Sequence, residues 1–382
     1  MSKTENKRLD SLDVFRGITI AAMILVNNPG SWANLYPPLK HAVWHGWTPT
    51  DFIFPFFLFI VGSSITLAMG KIPLESEKKL AQQKIFIRSV KIFLIGILMA
   101  AFPFFQFSPE FGLSSHLEGL RIMGVLQRIA ICYLLCSLLF IHGFENRFFI
   151  IFVGILLFYW FLMAVVPVPD TGVANYDSPT ANLGAYLDRL ILGKHLWKGA
   201  NREWDPEGLL STLPAIATAL LGIRAAQIIK NKETEEKKML QLFVEGCLLT
   251  VLGFVWDWFF PINKQIWTSS YVLFTGGLAF CMLAICYYFI DYRGLKKYMM
   301  PFKIFGMNAM FAFVFSGLMS KTSSLIKLDI EGKSISLGNY FYQILCEIFS
   351  PINASLAYAV AYVLIWYAIV WALYRKNWFW KI

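Results

Sequence analysis

The chain has little charge. Only 15% of its 382 residues are Asp, Glu, Lys or Arg, where soluble domains carry roughly 25%. That shortage excludes an ordinary water-facing surface. Metal-type cysteine spacing is also missing. The six cysteines (Cys132, Cys136, Cys247, Cys281, Cys286 and Cys346) all lie inside apolar runs, so neither a disulfide nor a metal site is expected. No Walker loop, GxSxG, HExxH or GxGxxG occurs in a suitable context, so no short motif names a reaction. Internal repeats and low-complexity tracts are absent, which removes support for an inverted-repeat transporter. The first apolar run follows the polar stretch 1–13 without a small-residue cleavage site. It reads as a first transmembrane helix, not as a signal peptide.

What the chain does have is apolar length. Hydrophobic residues make up 57% and mean hydropathy is +0.56. Thirty-five Phe, thirteen Trp and sixteen Tyr suit a lipid-facing surface with aromatic belts. A spanning helix needs about 20 apolar residues. Runs of that kind fall at 13–29, 51–69, 86–105, 119–141, 148–166, 209–228, 240–260, 268–290, 303–320 and 354–374. The expected fold class is therefore all-α, a polytopic integral membrane protein of about ten helices in one domain, 1–382. A shorter stretch, 338–352, contains Glu347 and ends at Pro351. It reads as a re-entrant or interfacial helix, with an eleventh span as the alternative.

The net charge of +10 invites a nucleic-acid reading, but the basic residues sit in short loops between apolar runs. With the N-terminus inside, the inner segments hold 23 Lys and Arg and the outer ones 10. That asymmetry favours a cytoplasmic N-terminal segment (1–12) and a cytoplasmic C-terminus. Membrane lipid, not nucleic acid, is the expected environment. The longest loop, 167–208, then lies outside, and loops of this length are often functional.

Polar residues within this apolar background are the candidates for chemistry. The first outer loop places Asn27, Asn28, Lys40, His41 and His45 among Trp32, Tyr36, Trp44 and Trp47. A histidine at a membrane interface suits a base that removes a proton from an amine or hydroxyl. The plain alternative is interfacial anchoring. Asp51, in T-P-T-D-F, reads first as an N-cap. The small residues Gly62, Ser63 and Ser64 read as close helix packing. Arg16 and Arg88 mark the inner starts of two spans and could hold a nucleotide phosphate, or simply anchor to headgroups. Arg121 and Arg128 are seven residues apart, as if on one helix face, and an Arg inside a span usually faces a cavity or partner. Asp205 and Pro206 read as a helix start, with Glu207 beside them as a ligand for a sugar or amine. Asp257 needs a partner, Lys264 or an arginine. Asn308 is a lone polar residue in its span, either a helix–helix contact or a ligand contact.

Several of these blocks occur together and in order: LDSLDVFRG, Asn27 ahead of KHAVWHGWTPTDFIFPFFLFIVGSS, RIMGVLQRIAICY, DPEGLLSTLPAIATALLGIRA, PINKQIWTSSYV and GMNAMF. Taken together, from about Arg8 to Asn308, they resemble the heparan-α-glucosaminide N-acetyltransferase family of transmembrane acyltransferases. The resemblance implies transfer of the acetyl group of cytoplasmic acetyl-CoA to an amino sugar on the opposite membrane face. It implies His41 as the active histidine and Asn27 as its nearby asparagine. Arg16, Arg121, Glu207, Ser269 and Asp291 lie in matching blocks. The resulting expectation assigns His41 and Asn27 to catalysis. Arg16, Arg88, Arg121, Arg128, Asn308 and Ser269 go to the acetyl-CoA site, and Glu207, Asp205, Trp44 and His45 to the acceptor. No metal is expected.

Compared with the lysosomal form, the sequence lacks the luminal N-terminal domain and extra first helix, and has a longer stretch between Asn27 and His41. Its form suggests a bacterial inner membrane. The expected acceptor is an amino sugar or a glycan. O-acyl transfer to envelope glycans, amino-sugar transport and a homodimer stay open.

Overall fold

The computed structural model describes residues 9–69, 74–106, 111–330 and 332–380, the side chains of 145 and 146 excepted. Most of the cytoplasmic segment expected at 1–12, and Lys381 at the basic C-terminal end, lie outside the described residues. The chain is built from helices: α1 (Asp10–Asn27), α2 (Ile53–Met69), α3 (Glu75–Ala101), α4 (Val125–Ile141), α5 (Phe148–Ala164), α6 (Leu183–Leu192) and α7 (Thr212–Lys230). They continue as α8 (Glu235–Asp257), α9 (Ser269–Tyr287), α10 (Met300–Met307), α11 (Ala309–Leu325), α12 (Leu337–Cys346) and α13 (Pro351–Arg375). Strand among the described residues is confined to two small antiparallel pairs, Phe105–Gln106 with Gly112–Leu113 and Lys327–Ile330 with Lys333–Ser336.

Among the described residues, five helical segments are long and apolar enough to cross a bilayer: Pro49–Met69, α7, α8, Ser269–Tyr292 and α13. The pair α10 and α11 makes a sixth if counted as one span, bent by 80°. The sequence reading expected ten. Each of the remaining four expected segments does hold a helix, but it falls short on composition or length. α1 carries Asp10, Asp13 and Arg16, and α3 carries Lys84, Arg88 and Lys91. α4 and α5 have 17 residues each, a rise of about 25 Å against a core of roughly 30 Å.

Further expectations are corrected. The segment 303–320 is not one helix: the chain breaks at Asn308, between α10 and α11. Helix α7 begins at Thr212, not at Pro206, so Asp205 caps no helix there. Arg121 and Arg128 share no helix face, because α4 starts only at Val125, after the extended Gly124. The stretch 338–352 is also divided. α12 is a ten-residue helix, and Pro351 opens α13.

Packing is closest where glycines meet backbone. A Cβ on Gly17 would lie 1.7 Å from the Phe302 carbonyl oxygen, and one on Gly306 would lie 1.8 Å from that of Asp13. α1 and α10 therefore touch backbone to backbone. The same holds for α2 and α7, where Gly62 faces Ala219 and Gly222 faces Phe59. This is the small-residue packing expected of a membrane bundle, and Ser63 adds a hydrogen bond to the Gly222 carbonyl at 2.9 Å. α7 is buried along most of its length. α8 instead exposes Leu240, Phe243, Leu248, Val251 and Phe254, a face suited to lipid.

Candidate active site

The connection between α1 and α2 is held tightly although it has little regular structure. Thr48 and Asp51 form a capping box around the turn Pro49–Phe52, with Pro49 in its first turn. Thr48 also donates to the Lys40 carbonyl at 2.6 Å, and Thr50 to that of Pro38 at 3.0 Å. Tyr271, from α9, donates to the Asp51 carbonyl at 2.5 Å.

This frame presents His41. Its Nδ1 lies 2.6 Å from Asp51 Oδ1. Asp51 Oδ2 accepts from the Ala42 amide at 3.1 Å and the Thr48 amide at 2.9 Å. The Asp51 side chain is 1% exposed, whereas that of His41 is 41% exposed. A buried carboxylate thus fixes the tautomer with the proton on Nδ1. Nε2, which has no partner among the described residues, keeps its lone pair for a substrate. Asp51 was expected only as a helix cap. The sequence signal for its second role was present, ten residues after His41, but the cap explained the residue without it.

His45 is held differently. Nε2 lies 2.9 Å from Asp177 Oδ1, and Nδ1 lies 3.3 Å from the Asn263 side-chain amide. Both ring nitrogens are engaged. Trp44 stands edge-on to Trp204 at 5.6 Å, and Trp204 edge-on to Trp197 at 5.8 Å. Arg121 lies over Trp197 at 5.9 Å. Its Nε donates to Asp205 at 2.8 Å, and Nη2 donates to both Asp205 and Glu207. Burial alone would raise the Glu207 carboxyl. Arg121, Lys264 and Arg128 outweigh burial and hold it below the ordinary range.

Arg128 is fully buried. It donates to the Gly208 carbonyl at 3.0 Å and to Ser211, and lies 5.2 Å over Trp267. Ser269 donates to the Leu156 carbonyl at 2.7 Å. Asn308 bonds the Trp378 carbonyl and the Trp380 amide, both at 3.0 Å. Asp257 accepts from the Ile262 amide at 2.5 Å, so its partner is backbone and neither Lys264 nor an arginine. Asp291 accepts from the Ser11 amide at 3.0 Å. Asn27 ends α1 exposed, without a hydrogen-bond partner among the described residues, while the buried Asn28 turns back to the Ile24 carbonyl at 2.7 Å.

The main cavity, about 660 Å³, opens where α2 and α4 end and α3 begins. Arg16, Lys84 and Arg88 line it, with Ser64, Tyr133 and Trp380. Arg16 is fixed by Asp13 and Ser64, both at 2.8 Å. Arg88 lies 4.9 Å over Tyr133. No described carboxylate pairs with Lys84 or Arg88. Lys84 had not been singled out in the sequence. Of the residues expected at the acetyl-CoA site, Arg16 and Arg88 line this cavity, whereas Arg121, Arg128, Ser269 and Asn308 do not. A smaller apolar gap, about 10 Å³, shares Phe57, Ile129 and Met310 with the cavity wall and continues to Met23 and Val125. Ile20 and Met23 are its α1 lining.

Fold and site together define a polytopic helical membrane protein with a histidine–carboxylate pair at one end and a basic cavity toward the other. A family model described as heparan-alpha-glucosaminide N-acetyltransferase, catalytic, matches residues 8–255, and the chain belongs to this family. It is 29% identical to the human heparan-alpha-glucosaminide N-acetyltransferase over 98% of its own length and 60% of that protein. Identity to the mouse protein is also 29%, over the whole chain and 61% of that protein. The chain thus spans about 60% of the length of these curated relatives.

Proposed function

We propose that this protein is an integral-membrane acetyltransferase that moves acetyl from acetyl-CoA to the amine of a glucosamine-type sugar. The observation that carries the reading is the His41–Asp51 pair, in which Nε2 has no partner among the described residues. The names of the human and mouse relatives support the reaction class.

The chemistry follows from these groups. The neutral amine attacks the thioester carbonyl, so a C–N bond forms. His41 Nε2 takes the amine proton, and Asp51 stabilises the imidazolium. The tetrahedral intermediate then collapses, the C–S bond breaks, and His41 returns the proton to the departing thiolate. On this reading Asn27 donates to the oxyanion, a bond worth about 3 kcal/mol in a preorganised site. Transfer through acetyl-His41 would use the same nitrogen as nucleophile.

Arg16, Lys84 and Arg88 suit the phosphates of the donor, and the apolar gap toward Met23 suits its thioester arm. The gap holds about one water, so the arm must widen it. Asp205, Glu207, Trp44 and His45 form the acceptor side. The excess of Lys and Arg in the loops on this side supports a cytoplasmic basic cavity, facing acetyl-CoA.

The test is acetyl transfer by purified protein in detergent, with acetyl-labelled acetyl-CoA and glucosamine. Wild type should form labelled N-acetylglucosamine and His41→Ala should not. Product from both proteins at equal rate would overturn the role of His41. No product with acetyl-CoA bound would point to a glycan acceptor.

A further inference from the structure

Thirteen residues, 28–40, separate Asn27 from His41. Their only regular element is one short turn, Pro37–Leu39. So irregular a stretch does not keep its two ends in register by its own hydrogen bonds. It is held from outside, by the corner between α12 and α13. The Gly30 amide donates to the Ser355 carbonyl at 3.3 Å. The Ser31 amide donates to the Ser355 hydroxyl oxygen at 3.1 Å, and that hydroxyl donates back to the Ser31 carbonyl at 3.2 Å. Two residues earlier in the first turn of α13, Asn353 accepts from the Tyr36 hydroxyl at 2.5 Å. Between these points the Tyr342 hydroxyl, from α12, accepts from the Asn34 side-chain amide at 3.1 Å and donates to the Pro351 carbonyl at 3.2 Å.

The hold is close as well as polar. A Cβ on Gly30 would lie 2.6 Å from the Tyr342 ring and 3.1 Å from the Ser355 Cα, so the chain meets the corner with no side chain between. Ser355 itself is buried. Toward α1 there is little slack. Pro29 locks its own φ, and the Asn28 side chain is tied to the Ile24 carbonyl at 2.7 Å. Asn27 therefore stands three residues from a fixed point. At the other end Tyr36 leads directly into the turn Pro37–Leu39, where Thr50 and Thr48 grip the Pro38 and Lys40 carbonyls. The two anchors on α13 thus hold opposite ends of the stretch, one beside Asn27 and one beside the turn that leads to His41.

We infer that Ser355 is a positioning residue: by fixing the chain at Gly30 and Ser31 it sets where Asn27 lies relative to His41. The roles of Asn27 and His41 rest on the acetyltransferase reading, whereas the contacts do not. A base for the amine and a donor for the oxyanion serve one reacting centre only when both are in place beforehand. Two such residues joined by thirteen irregular ones would otherwise have to be ordered at every turnover. Ser355 supplies that order in advance. A hydroxyl suits the task because it both donates and accepts, so one side chain fixes both backbone groups of Ser31.

The experiment compares wild type with Ser355→Ala, as the full chain in detergent, by two readouts. Amide hydrogen exchange of the peptide covering 30–36 should speed up by about tenfold in the variant, the loss of one or two hydrogen bonds, with α4 and α7 unchanged. In acetyl transfer from acetyl-CoA to glucosamine, kcat should fall by roughly tenfold or more, since a 1 Å misplacement costs up to about a hundredfold. KM for acetyl-CoA and the melting temperature should stay near wild type. A role in folding alone would lower the melting temperature and spare kcat of the folded enzyme. Exchange no faster than in wild type, or faster exchange with kcat unchanged, overturns the inference. If Ser355→Ala does not fold, Tyr342→Phe, which removes the hydroxyl between Asn34 and Pro351, decides by the same two readouts. No product from wild type, with exchange still faster in the variant, would count against the reaction alone.

Discussion

Asp51 meets His41 Nδ1 with one carboxylate oxygen and gathers the amides of Ala42 and Thr48 on the other. The carboxylate that orients the ring therefore also closes the loop on which the ring is carried. Asp51→Asn can keep the loop contacts only by turning its oxygen toward one set of partners. Expected is a fall in kcat of about a hundredfold or more from the wrong tautomer. KM for acetyl-CoA should stay near wild type. A steady-state comparison checks this.

Lys84 and Arg88 line the basic cavity with no carboxylate partner among the described residues. Replacing either with Ala should raise KM for acetyl-CoA by about tenfold, the loss of one charge-assisted contact, and leave kcat near wild type. The effect should shrink for a pantetheine thioester without the nucleotide. Equal losses on both donors would remove these residues from phosphate binding.

Arg121 answers two buried carboxylates. Arg121→Ala leaves Asp205 and Glu207 uncompensated and should destabilise the protein by about 3–5 kcal/mol. Adding Asp205→Asn and Glu207→Gln should recover part of the lost melting temperature. A variant with wild-type melting but weakened acetyl-CoA binding would instead return Arg121 to the donor site.

Asp188, buried in α6, accepts from the Leu209 amide at 2.8 Å. Burial, with Asp205 nearby, pushes its carboxyl up to about 7 against an ordinary 3.8. The folded state holds this proton where the unfolded chain has released it. Stability is therefore lost as pH rises from about 4 to 7 and stays lost above, at most about 4 kcal/mol. Asp188→Asn keeps the acceptor oxygen and removes the charge. Its melting temperature should exceed that of wild type at pH 8, and the two should converge at pH 4.

Much of this was legible in the sequence. Every expected span contains a helix because apolar length and charge-poor composition are one-dimensional signals. His41, Arg16 and Arg88 stood out because polar groups are rare in such a background. The break at Asn308 was not legible, since the residues around it are as apolar as a continuous helix requires. Nor was the double role of Asp51, whose cap pattern is local while its histidine partner is met only through the folded loop. Arg121 and Arg128 looked like one helical face because spacing assumes a helix that Gly124 prevents.

The pinning of Trp378 and Trp380 to Asn308 has a consequence for how the protein is divided. The family match ends at residue 255, yet Gly306, Met307, Met310 and Trp380 form one wall of the basic cavity. A catalytic unit cut at the limit of recognisable pattern would be an open half-shell. Its missing side is supplied by Gly306, Met307 and Met310 and by the still more distant Trp380, so the boundary of the pattern and the boundary of the working part fall in different places.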